Sequence, residues 1–316
     1  MKAVLLDRAT LGDVHLTPIR ESVSSLTCFD YSTEEEAIHR LQDADICITN
    51  KVPISEATLA QLPQLKLICV AATGTNVIDL NAAQQRKVPI CNIRNYAGTS
   101  IAQHVFSLLL NLTSQTHQYI QDVQHKRWSK SPIFCRLDYP MMELKGKTLG
   151  IIGYGTLGQS IEKIAHAFEM KVLIAERQGA DSIRPGRISF DEVLRCADII
   201  TLHCPLTGET HHLFSENTFQ KMKRTAVLIN TARGDIIDHH ALKIALTEHQ
   251  IAGAALDVLD QEPPPEDHIL LQDAIPNLLI TPHIAWATQE SRQRLVSQIG
   301  NIIRSFQQDV LINQVC

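Results

Sequence analysis

The 316-residue sequence predicts an α/β protein with two doubly wound parallel-sheet domains, and three observations predict it. Short apolar runs rich in β-branched residues come in two series, and polar or amphipathic stretches separate most of them. The irregular segment RWSKSPIFCRLDYPMMELKGK, whose apolar residues hold neither a helical nor a strand period, precedes the second series. A chain of this length with 44% hydrophobic residues is long for one domain and accommodates two.

In the first series KAVLLD, DICITN, LKLICVAA and VPICNI are the strands, and TEEEAIHRLQ and SEATLAQL are among the intervening helical segments. One long helical pattern follows, TSIAQHVFSLLLNLTSQTHQYIQDVQ, with Thr99 or Ser100 as its expected N-cap. In the second series TLGIIG, KVLIAE, DIITLHC, AVLINTA, AGAALDV and NLLITPH read as strands. Helices are expected at LGQSIEKIAHAF, FDEVLRCA, SENTFQKM and DHHALKIALTEHQ. The closing TQESRQRLVSQIGNIIRSFQQ is amphipathic, with Arg292, Arg294 and Arg304 on its solvated side.

Composition narrows the function. Net charge is −5 with Lys and Arg scattered, so the basic stripe of a nucleic-acid reader is absent. The apolar start of MKAVLLDRAT is too short for a signal-peptide core, and no stretch approaches the ~20 apolar residues of a membrane span, so a cytoplasmic protein without a membrane partner is expected. The eight cysteines form no C-x-x-C, and several lie inside apolar runs, which suits reduced thiols better than a disulfide framework. His211-His212 and His239-His240 are adjacent pairs; neighbours on a helix point in different directions, no H-E-x-x-H occurs, and no metal site is expected. His104 reads as a helix-face histidine.

The stretch TLGIIGYGTLGQSIEKIAHAFEMKVLIAE carries G-x-G-x-x-G as Gly153, Gly155 and Gly158, directly after one strand, at the opening of a helix, with Glu176 at the end of the next strand. That is the context a dinucleotide fingerprint requires. Gly153 permits the tight turn, Gly155 lets the backbone approach a pyrophosphate, and Gly158 lets the helix pack close to the sheet; Tyr154, Thr156 and Leu157 complete the loop at the helix N-terminus. Glu176 is expected to accept the adenosine ribose hydroxyls and to repel a 2′-phosphate, which favours NAD over NADP, although neighbouring Arg177 could accommodate the extra phosphate.

In an open α/β sheet, ligands lie beyond the carboxyl ends of the strands. There the second series places Arg233 after AVLINTA, Glu262 after AGAALDV and His283 after NLLITP. A cation, a carboxylate and an imidazole on one edge are the parts that hydride transfer to a 2-oxo acid needs.

GIIGYGTLG, HCPLTGETHHLF, LINTARGDIID, AALDVLDQEPPP and LLITPHIAWAT together resemble the D-isomer-specific 2-hydroxyacid dehydrogenases over nearly the whole chain. The resemblance implies a flavodoxin-like substrate (lid) domain over 1–99 and 285–316, with a Rossmann cofactor domain over 100–284 inserted into it and an active site in the cleft. Hinges follow near 98–101 and 284–288. It implies that Arg233 binds the carboxylate and C2 oxygen of a small-molecule substrate, that His283 exchanges the proton, and that Glu262 orients the imidazole and favours its charged form.

Thr73 and Gly74 match a lid loop that holds the carboxylate; many relatives carry Gly-x-Gly where this chain has Ala72-Thr73-Gly74. His203, Cys204 and Pro205 match a cofactor-side loop, with Thr231 and Ala232 beside the cofactor. Asp257 matches a position near the nicotinamide carboxamide, or is a structural hydrogen-bonder. Trp286 walls the substrate cleft or packs at the hinge. These features are most similar to the glycerate dehydrogenase (hydroxypyruvate reductase) branch; D-lactate, glyoxylate and phosphoglycerate dehydrogenation stay open, as does a non-catalytic NAD(H)-sensing adaptor. A homodimer through the cofactor domains is implied by the resemblance alone.

Overall fold

Nearly unbroken apolar runs make the strands of two parallel sheets, because strands covered by helices on both faces have no solvated side to mark with polar residues. The computed structural model describes residues 1–272, 275 and 277–316. The chain divides into one unit of residues 1–97 and 287–316 and another of residues 98–286.

The first unit holds β1 (Lys2–Leu5), β2 (Ser25–Cys28), β3 (Ile46–Thr49), β4 (Leu67–Val70) and β5 (Ile90–Asn92), all parallel in the order β2-β1-β3-β4-β5. This is the flavodoxin-like order. Every residue of β3, β4 and β5 is buried. β2, SLTC, lies at the sheet edge with alternating exposure, and its sequence carries too few apolar residues to mark it as a strand. The helix Glu34–Leu41 starts at a capping box in which Thr33 and Glu36 satisfy each other's backbone N–H groups. The closing helix, Gln289–Phe306, is capped by Thr288 and packs against Thr17–Arg20 so closely that a Cβ on Gly300 would stand 2.3 Å from Pro18 O.

The second unit holds β6 (Thr148–Ile152), β7 (Lys171–Ile174), β8 (Ile199–Leu202), β9 (Val227–Asn230), β10 (Gly253–Leu256) and β11 (Leu278–Ile280). They run parallel in the order β11-β10-β9-β8-β6-β7, so the direction of winding reverses between β6 and β8. A bridge between Ala175 and Ile188 adds a rudimentary strand outside β7, which completes the doubly wound Rossmann pattern. Successive strand residues feed opposite faces: Ile200, Leu228 and Ala254 join one apolar cluster, while their neighbours Ile199, Ile229 and Ala255 join another.

Two helical expectations need correction. Helix Gly98–Ser114 starts before Thr99 and Ser100, so neither is its N-cap; the Ser100 hydroxyl instead donates to Ala285 O (2.7 Å). The single long helix is two, because Gln115 takes a left-handed conformation (φ 54°) before Thr116–Gln124 and Asn111 Oδ1 accepts the His117 N–H (3.1 Å).

Gly300→Ala should destabilise the first unit by about 1–3 kcal/mol, since the new methyl meets backbone. The check is a lower denaturant midpoint for the transition reported by that unit, with the second unit's transition unmoved.

Candidate active site

The turn out of β6 exists because of glycine. Gly153 has φ 92°, and a Cβ there would stand 2.4 Å from Cys204 N and 2.5 Å from the carbonyl carbon of His203, so the loop rests backbone-to-backbone on the residues after β8. On Gly158 a Cβ would meet Gly153 O at 2.6 Å. A Cβ on Gly155 would have no atom within 4 Å, and Gly155 caps the helix Thr156–Ala167 without any side-chain hydrogen bond. The first N–H groups of that helix, from Thr156 and Leu157 onward, are thus left to an anion, which the helix dipole favours. Tyr154 points its hydroxyl at Glu162.

The next strand ends supply polar groups. After β8, His203 Nε2 pairs with Thr201 Oγ1 (2.9 Å), and burial pushes its pKa down to about 4, so the ring is neutral. Burial pushes the Cys204 thiol up to about 11, so it is no nucleophile at neutral pH; Pro205 O accepts from Thr210 Oγ1 (2.7 Å). After β9, fully buried Asn230 fixes the loop by accepting from Ala232 N (2.9 Å) and donating to Arg233 O (2.8 Å). Arg233 Nη1 donates to Ala232 O (2.6 Å). The next residue, Gly234, lies against the β10 loop, where a Cβ would stand 1.9 Å from the Leu259 carbonyl carbon and 2.3 Å from Asp260 N.

Through that contact the β9 loop meets the segment carrying Glu262. Glu262 Oε1 accepts from Leu259 N (3.0 Å), and Oε2 pairs with His283 Nδ1 (2.5 Å). His283 stands after β11 with φ 53°, held by its N–H on Asp257 O (2.8 Å) and by the Trp286 indole N–H on its own carbonyl (2.9 Å).

Asp257, 1% exposed, knits this turn together. Its Oδ1 accepts from Thr281 Oγ1 (2.6 Å) and Ile284 N (2.9 Å), and Oδ2 accepts from Ala285 N (2.8 Å). His104 Nε2 lies 3.0 Å from Thr281 Oγ1 and 3.4 Å from Asp257 Oδ1. Burial raises the Asp257 pKa, but these donors outweigh it and hold the carboxyl below its ordinary value.

A model of the D-isomer-specific 2-hydroxyacid dehydrogenase NAD-binding domain matches residues 106–285. The chain is 44% identical to a glycerate dehydrogenase of Methylorubrum extorquens over 308 residues, 96% of each chain. It is also 36% identical to a hydroxypyruvate reductase of Blautia hydrogenotrophica, over 100% of this chain and 99% of that one. A solved protein of Thermus thermophilus superposes over 100% of both chains with a TM-score of 0.87 and 30% identity. The chain belongs to the D-isomer-specific 2-hydroxyacid dehydrogenases.

For such a dehydrogenase the strand edge fits NAD on its own evidence. Thr231 Oγ1 and His203 Nδ1 are buried without a hydrogen-bond partner among the described residues, at the ends of neighbouring strands β9 and β8. With the uncapped helix and the open side of Gly155, they are unfilled polar positions that a dinucleotide's phosphates and amide can satisfy.

Other expectations change. Glu176 is not a bare carboxylate: Arg184 bridges both of its oxygens. Asp257 spends its acceptors on the 281–285 turn, which makes it a positioning residue. Thr73 and Gly74 lie in the first unit after β4, where Thr73 Oγ1 donates to Ile93 O (2.9 Å) and Asn92 Nδ2 donates to Thr73 O (2.7 Å).

His211 and His212 are not on a helix; His212 turns at φ 51° and the two rings stack at 3.9 Å beside Asp235. His239 and His268 both approach Asp260, but His268 Nδ1 accepts from Leu270 N (3.2 Å), which puts the proton on Nε2, facing Asp260 (2.8 Å), as a hydrogen bond rather than an open metal ligand. Sequence reasoning missed Asn230 and Arg184 and took His104 as bland. Asn230 could have been found as a polar residue ending an otherwise apolar strand.

Asp257→Asn sets an amide N–H₂ against a backbone N–H and should lower stability by about 1–3 kcal/mol, with faster amide exchange at 283–285. In the parent protein the Asp257 contribution is complete above the ordinary carboxylate range and is lost as pH falls through it towards the lowered native value. The variant should therefore lose part of that acid sensitivity in equilibrium unfolding.

Proposed function

We propose that this protein interconverts hydroxypyruvate and D-glycerate with NAD(H). The observation that carries the reading is the 2.5 Å pairing of His283 Nδ1 with Glu262, which leaves Nε2 of the same ring available to a substrate oxygen. Bound NADH supplies the hydride that reaches C2 of the oxo acid. His283, as imidazolium, gives its Nε2 proton to the C2 oxygen, and in the oxidative direction takes it back. Glu262 holds the ring in its orientation through Nδ1. Arg233 stabilises the substrate carboxylate and the charge growing on the C2 oxygen. The resemblance adds Thr73 and Gly74 as carboxylate ligands. Trp286, whose N–H fixes the His283 carbonyl, also keeps the proton donor in place. The choice of hydroxypyruvate rests on the two relatives named for glycerate and hydroxypyruvate, which match nearly the full chain.

A homodimer accompanies this reading. Residues 128–141 are held by the Tyr139 hydroxyl donating to buried Asp122 (3.3 Å) and by an edge-to-face contact of Tyr119 with Tyr139 (5.0 Å). Yet this ordered segment exposes Phe134 (90%), Leu137 (70%), Trp128 and Ile133 to solvent. Apolar groups displayed on a fixed scaffold suit a second copy of the chain. The free cysteines, with Cys47 and Cys69 thiols pushed up by burial, suit a reducing cytoplasm, and among the described residues no helix is long and apolar enough to cross a membrane.

Following NADH absorbance with hydroxypyruvate, glyoxylate, pyruvate and phosphohydroxypyruvate should give the highest kcat/KM for hydroxypyruvate. His283→Gln should reduce it by about 10²–10⁴-fold while NADH still binds. Glu262→Gln should lower kcat for hydroxypyruvate reduction while leaving NADH binding nearly intact, because the imidazole loses the carboxylate that orients it. No turnover with any oxo acid would instead favour a non-catalytic NAD(H)-binding adaptor.

Phe134→Asp with Leu137→Asp should shift the mass in light scattering from dimer to monomer. An unchanged mass would remove this surface from the interface.

A further inference from the structure

The loop after β7 folds back on its own start. Ala175 and Ile188 form a parallel bridge, and Glu176 N donates to Ile188 O (2.8 Å), so residues 177–187 close into a loop beside Glu176. Within it Arg184-Pro185-Gly186-Arg187 makes a tight turn. Arg187 N donates to Arg184 O (3.1 Å), proline occupies the second position, and Gly186 takes the positive φ (77°) required at the third.

That turn returns two guanidinium groups to one carboxylate. Arg184 places Nε on Glu176 Oε2 (2.7 Å) and Nη2 on Oε1, and its backbone N–H adds a bond to Oε2 (3.2 Å). Arg177 N donates to Oε1 (2.9 Å), and Arg187 Nη1 lies 4.0 Å from the same oxygen. A carboxylate offers about four lone-pair sites, and these four donors occupy them. The ribose hydroxyls of NAD(H) therefore have no acceptor on Glu176 while Arg184 stays in place. A 2′-phosphate meets the opposite situation. Arg177, Arg184 and Arg187 outnumber the one carboxylate, and the Arg184 side chain is 52% exposed while Glu176 is 4% exposed, so the arginine is the partner that a solvent-borne phosphate can reach.

We propose that Arg184 is a coenzyme-selecting residue that lets this site take NADP(H) as well as NAD(H). Its guanidinium moves from Glu176 to the 2′-phosphate of NADP(H), whereas the ribose of NAD(H) must displace it from Glu176. The proposal rests on the reading of this strand edge as the dinucleotide site.

Calorimetric titration with 2′,5′-ADP and with 5′-ADP isolates the adenosine end from turnover. NADPH and NADH titrations follow by fluorescence. The parent protein should bind 2′,5′-ADP measurably, with a steeper salt dependence than for 5′-ADP. Arg184→Ala should weaken 2′,5′-ADP and NADPH about tenfold or more and tighten 5′-ADP and NADH severalfold, since Glu176 is released. Arg184→Lys, which keeps the charge but loses the two-pronged geometry, should fall between. Equal weakening of both ligand types by Arg184→Ala overturns the proposal, as does a parent that binds 5′-ADP and NADH but not 2′,5′-ADP; either result leaves the dinucleotide site standing. Failure of NADH and 5′-ADP themselves to bind would overturn both the proposal and the reading beneath it.

Discussion

The geometry around His283 depends on one buried carboxylate. Asp257 leaves β10 and gathers a hydroxyl and two backbone N–H groups from the stretch after β11. Those bonds hold a turn in which a non-glycine residue, His283, takes φ 53°, a conformation that costs energy and persists only where the surroundings impose it. Had the turn relaxed, the imidazole would leave Glu262 and its orientation would be lost. The carboxylate that matters most for geometry thus need not be the one that faces the ring.

Backbone contact is the second constraint. The β9 loop approaches the β10 loop so closely that Gly234 has no room for a methyl, and the β6 turn likewise leaves none at Gly153 against the β8 loop. Parallel neighbours bring their carboxyl ends to one edge, but side chains would ordinarily hold the loops apart. Glycine at these two positions removes that separation. Gly234, the residue after Arg233, consequently adjoins the backbone of Leu259, whose N–H donates to Glu262, so the cation's loop and the carboxylate's loop are spaced by peptide groups rather than by adjustable side chains.

Features encoded by local chemistry were legible in the sequence. The apolar runs marked ten of the eleven strands, and the three glycines marked the phosphate turn because their spacing follows from turn geometry alone. What escaped was encoded by partners distant in the chain. β2 lies at an edge and owes its strand to pairing with β1 rather than to its own pattern. Ser100 looks like a cap, but its hydroxyl serves Ala285 instead. Glu176 looks like a bare ribose acceptor, and the arginine that covers it returns through a turn eight positions later, a pairing no helical or strand period announces. His211 and His212, adjacent in sequence, would diverge on a helix, and a positive φ at His212 brings their rings face to face instead.

Placing Arg233, Glu262 and His283 on adjacent strands of one unit has a mechanistic consequence. The order β9, β10, β11 is continuous in the sheet, so the three loops share one set of parallel hydrogen-bonded strands as their base. Preorganisation is effective in proportion to how little the groups must move when charge develops. Here the ring's orientation is set by Glu262, its backbone by Asp257 and Trp286, and the guanidinium's loop by Asn230, all of them residues of the second unit. The three charged groups are therefore arranged relative to one another by this unit's own sheet, and the geometry among them is a property of the second unit alone.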